Sequence, residues 1–121
     1  ICTNQSLLAL SATIYLSLLG KKGLRRVAEI CLQKAHYLAG RIAELPGWKI
    51  AWPNRPYFRE FVVQPPVPPA EVIDRLVEHN VLAGIDLGRL DERLDGKMLV
   101  AVTEKRSREQ MDSFVELLAA I

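Results

Sequence analysis

Ile1-Cys2-Thr3-Asn4-Gln5-Ser6-Leu7-Leu8-Ala9-Leu10 begins a run that carries no charged residue before Lys21. From Leu7 to Leu19, apolar side chains occupy nearly every helical phase, with Ser6, Thr13 and Ser17 as the main polar interruptions. A helix that is apolar all round has to be covered on all sides. Residues 1–20 are therefore expected to form an interface helix, buried between two domains or subunits. Thr3 or Asn4 supplies an N-cap oxygen for a first-turn amide, and Gly20 permits the stop. Ser6, Ala9, Thr13, Ser17 and Gly20 recur three or four apart, giving a narrow face of small residues where another backbone can approach. The absence of an initiator Met and of a polar lead-in suggests a piece of a longer polypeptide. Asn4, Gln5 and the hydroxyls dilute the run as a membrane span, and no basic leader precedes it as in a signal peptide, so no membrane partner is expected.

The chain has 121 residues, enough for one domain with its own core. Its net charge of +2 arises from both signs mixed along the sequence, with no basic stripe that would imply nucleic acid. Cys2 and Cys31 have neither short spacing nor neighbouring histidines. They read as reduced packing residues of a cytoplasmic protein, not as a disulfide or zinc framework.

Gly20-Lys21-Lys22-Gly23 predicts a tight turn before a second helix from about Leu24 to Glu44. There Leu24, Val27, Ala28, Cys31, Ala35, Leu38 and Ile42 step by three and four along one apolar stripe. Arg25 and Glu29 stand at ion-pair spacing. Trp48 to Trp52 and Tyr57 to Gln64 predict strands, the second ended by Pro65 and Pro66. The stiff Pro65-Pro66-Val67-Pro68-Pro69 connector places a proline in the first turn of a helix over 69–79, and Asn80 suits its left-handed close. Strands are expected over 81–87 and, as the central one, 97–103. Ser107 with Gln110 forms a capping box at the start of the last helix. Its core face is Met111, Phe114, Val115, Leu118 and Ile121. Two helices, two strands, a helix, two strands and a helix give an α+β two-layer domain over 21–121, with an antiparallel-rich sheet and helices on one side.

Chemistry-bearing constellations are few. Gly20-Lys21-Lys22-Gly23 lacks the length and the hydroxyl of a phosphate loop. Asp91, Glu92 and Asp95, mixed with Arg89 and Arg93, read as a solvated loop before a cation site. His36 has no acid at a matching helical offset and reads as a partly exposed structural residue; His79 falls at a helix end, where its cation suits the dipole. No serine, histidine and acid set accompanies a nucleophile turn. No catalytic residue and no metal ligand is assigned.

Four stretches together resemble one family. Ile1-Cys2-Thr3-Asn4-Gln5-Ser6-Leu7-Leu8-Ala9 is similar to the Ile-Cys-Thr-x-Gln-x-Leu-Leu-Ala motif of glycine dehydrogenase (decarboxylating), the pyridoxal-phosphate component of the glycine cleavage system. Tyr57-Phe58-Arg59-Glu60-Phe61-Val62-Val63 resembles its Phe-x-Glu-Phe-Val-Val strand. Gly84 with Leu87-Gly88-Arg89, and Val102-Thr103-Glu104-Lys105-Arg106, complete the pattern. Arg59 stands where the family usually carries asparagine, and Leu90-Asp91-Glu92-Arg93 replaces a more aromatic loop.

The resemblance implies the small C-terminal domain of a fold-type I pyridoxal-phosphate enzyme, on the first of two subunits. The pyridoxal phosphate would be bound covalently by a lysine of the second subunit. None of this chain's lysines sits in a matching motif, so none is expected to bind it and the isolated chain is expected to be inactive. Thr3, with Asn4, is implied to help hold the cofactor phosphate across the subunit interface; the alternative is that both only cap the helix. The implied partners are the second subunit and a lipoylated carrier protein; independently of the resemblance, the apolar first helix is expected to drive self-association or docking of the chain. Two other functions fit the same residues: the small domain of a cysteine desulfurase or aminotransferase, and a non-catalytic α+β protein-binding module.

Overall fold

The computed structural model describes residues 5–121. A long helix, α1 (Gln5–Ala43), is followed by β1 (Lys49–Ile50), β2 (Glu60–Gln64), α2 (Pro69–Val77), β3 (Ile85–Asp86), a 3-10 turn (Glu92–Leu94), β4 (Met98–Ala101) and α3 (Arg108–Ala119). The sheet runs β1-β2-β4-β3 with every neighbouring pair antiparallel. Phe61 and Val63 of β2 and Met98 and Val100 of β4 turn one face of it into the core. Ala35, Leu38, Ala39 and Ile42 of α1, Val72 and Leu76 of α2, and Met111, Val115 and Leu118 of α3 cover that face. The result is the anticipated two-layer α+β domain, with β4 as an interior strand.

The two expected N-terminal helices are joined differently from the prediction. Only Gly20 leaves helical geometry, at φ 57 and ψ −174. Lys21 to Gly23 are helical, so no four-residue turn forms. Lysine is a good helix former and a single glycine suffices to redirect the axis. α1 thus has a limb, 5–19, and an anchored segment, 21–43.

The strands are shorter than their β-rich runs. The segment predicted over 81–87 reaches the ladder only at Ile85 and Asp86, because Gly84 passes against β4 so closely that a Cβ there would lie 2.2 Å from the Leu99 carbonyl oxygen. Leu82 stands outside the ladder, 88% exposed. Similarly, β2 starts at Glu60 and not at Tyr57, although the Val102 amide still donates to the Arg59 carbonyl.

The local signals behave as anticipated. Pro69 opens α2 at its first turn. Asn80 takes a φ of 58 just past its end, while the Val81 amide donates back to Leu76. α2 stops at Val77, so His79 lies in the closing turn, beyond the helix. The Ser107–Gln110 capping box is complete in both directions.

Candidate functional site

Thr3 and Asn4, the residues implied to reach the cofactor, lie outside the described residues, as does Cys2. The described part of α1 runs from Gln5.

Beyond that point, the limb is exposed from Gln5 to Leu18, with Leu8 at 66% and Leu18 at 81%. Leu7, Leu10, Ile14, Tyr15 and Leu16 are open as well. Along α1, the first buried residue is Cys31. The helix is apolar and long enough to cross a membrane by length and composition. Among the described residues nothing covers it, which is the unsatisfied apolar surface that the sequence predicts. A contiguous apolar surface of this kind marks an interface.

Where limb and body meet, a groove of about 460 Å³ collects residues from two of the four family-like stretches, 57–63 and 102–106. It is lined by Tyr15 of the limb, by Leu24, Val27 and Cys31 of the anchored segment, and by Phe58, Arg59, Thr103, Glu104 and Lys105. The antiparallel β2–β4 ladder is what brings residues 58–59 and 103–105 together, since Glu60 pairs with Ala101.

The 103–106 turn is tied to α1 by two side chains. Lys34 donates its ammonium to the carbonyls of both Glu104 and Arg106, and the Cys31 thiol donates to the Glu104 carboxylate over 3.4 Å. Cys31 therefore does more than fill space, and Lys34 serves as a structural clamp. Nearby, Tyr37 donates to Asp112, which also accepts from Arg41 at 2.9 Å, fastening α1 to α3. Sequence reading did not foresee these ties. Each joins residues about seventy positions apart, which no local spacing signals.

His36 stacks on Tyr57 with ring centroids 4.2 Å apart, and Tyr57 leans on Phe61. Burial pushes the Tyr57 hydroxyl above its ordinary pKa. The imidazole itself is exposed, in keeping with a structural role. Asp91 caps the 3-10 turn and forks onto Arg93, which holds its carboxyl below the ordinary value. Among the described residues no three acids, histidines or cysteines gather as a metal site.

The sequence profile of a family described as "Glycine cleavage system P-protein" matches residues 1–118. Proteins described as "Probable glycine dehydrogenase (decarboxylating) subunit 1" are 58% identical in Prosthecochloris aestuarii, 56% in Chlorobaculum tepidum and 55% in Chlorobium limicola, each over the whole chain. The chain spans about a quarter, 26%, of the length of these relatives. A crystal structure of glycine decarboxylase (P-protein) of the glycine cleavage system, in inhibitor-bound form, superposes with a TM-score of 0.85 at 31% identity. It covers 99% of this chain, and the match takes up 27% of that one.

Proposed function

The chain belongs to the glycine cleavage system P-protein family, and from that membership we propose that it serves as the small domain of the first subunit of a cytoplasmic glycine decarboxylase. The proposed enzyme releases carbon dioxide from glycine and passes the aminomethyl group to the lipoyl arm of a carrier protein. Whole-chain identity above 50% to proteins described as that subunit is the observation that carries this reading. A cysteine desulfurase or aminotransferase domain would share the architecture but not that identity.

In this proposal residues 1–20 form the interface helix and 21–121 the small domain. The exposed limb on one side of Gly20 and the packed core on the other support that division. We assign the cover of the limb to the remaining three-quarters or so of the relatives' length and to the second subunit.

The described residues fit pyridoxal phosphate only as neighbours. Lys34 is already engaged by two backbone carbonyls, and Lys21, Lys22, Lys49 and Lys105 are exposed. None of this chain's lysines sits in a motif matching the family's, and on that resemblance the covalent lysine is assigned to the second subunit. When bound, the cofactor ring would supply the sink for the electron pair that loss of carbon dioxide leaves on glycine. This chain's share is to present the groove wall: Lys34 and Cys31 fix the 103–106 turn, and the turn fixes Thr103 and Lys105 beside Arg59.

The test is substrate comparison with the full-length subunit assembled with its partner. Exchange of labelled bicarbonate into the carboxyl group of glycine, dependent on the lipoylated carrier, is the expected result. Sulfide from cysteine or a keto acid from amino transfer, without glycine exchange, would overturn it.

A further inference from the structure

We draw no further inference here: the strongest candidate, the groove where limb and body meet, lined by Tyr15, Phe58, Arg59 and Lys105, carries nothing, because the chain spans 26% of its relatives' length and nothing in the structure shows what covers that groove.

Discussion

Individual residues carry consequences of different size. At Gly84 a Cβ would fall 2.2 Å from the Leu99 carbonyl oxygen, a backbone atom that cannot swing aside. Gly84→Ala is expected to destabilise the domain by about 2–4 kcal/mol, read from denaturant midpoints at unchanged slope. Ser107→Ala removes the acceptor for the Gln110 amide and should cost about 1 kcal/mol. Asp91 and Glu109 act through pH. Asp91 is held below its ordinary pKa by Arg93, and Glu109 first by its own backbone amide and then by the Ser107 hydroxyl. A depressed folded-state value means stability present above the unfolded pKa and lost as pH falls through the folded one. The domain should therefore lose melting temperature below about pH 4, and Asp91→Asn with Glu109→Gln should flatten that decline. Thr3 poses a sharper question. If it holds the cofactor phosphate in the assembled enzyme, Thr3→Val weakens pyridoxal phosphate retention; if it only caps α1, the change lowers stability by about 1 kcal/mol and retention is untouched.

At the scale of elements, what was legible in the sequence followed from short-range physics. Pro69, Asn80 and the Ser107–Gln110 box mark helix ends through their own torsions and hydrogen bonds, and all three behave as read. The Arg25–Glu29 pair forms at 2.9 Å for the same reason. Strand lengths were less legible, because β-rich composition at Tyr57 and Val81 says nothing about where a partner strand stops. Leu82 is apolar and yet 88% exposed, since the close pass at Gly84 takes the chain out of the ladder. The Gly20 bend was visible as a break but not as a single-residue one. The clamp of Lys34 on the Glu104 and Arg106 carbonyls was out of reach, for it joins residues about seventy positions apart and depends on which strands pair. Lys34→Met should release the 103–106 turn while α1 and α3 stay joined through Tyr37 and Asp112. Faster amide exchange confined to residues 103–107 is the expected signature.

The whole molecule is a packed domain joined to a helix that it does not cover. Residues 21–121 bury a continuous core, whereas Leu7, Leu8, Leu10, Ile14, Leu16 and Leu18 stay open. In sedimentation the isolated chain is expected to associate through that limb, and removal of residues 1–19 should leave a monomer. The fold and the family were both legible early, because the first and last motifs are specific and the elements between them are locally encoded. Thr3 and Asn4, the candidate cofactor contact, lie outside the described residues. The central claim is that this chain shapes an active site whose cofactor is bound by the second subunit. Borohydride reduction of the assembled enzyme, followed by peptide mapping, tests it most directly. The pyridoxyl group is predicted on a lysine of the second subunit; its recovery on Lys21, Lys22, Lys34, Lys49, Lys97 or Lys105 would contradict the claim.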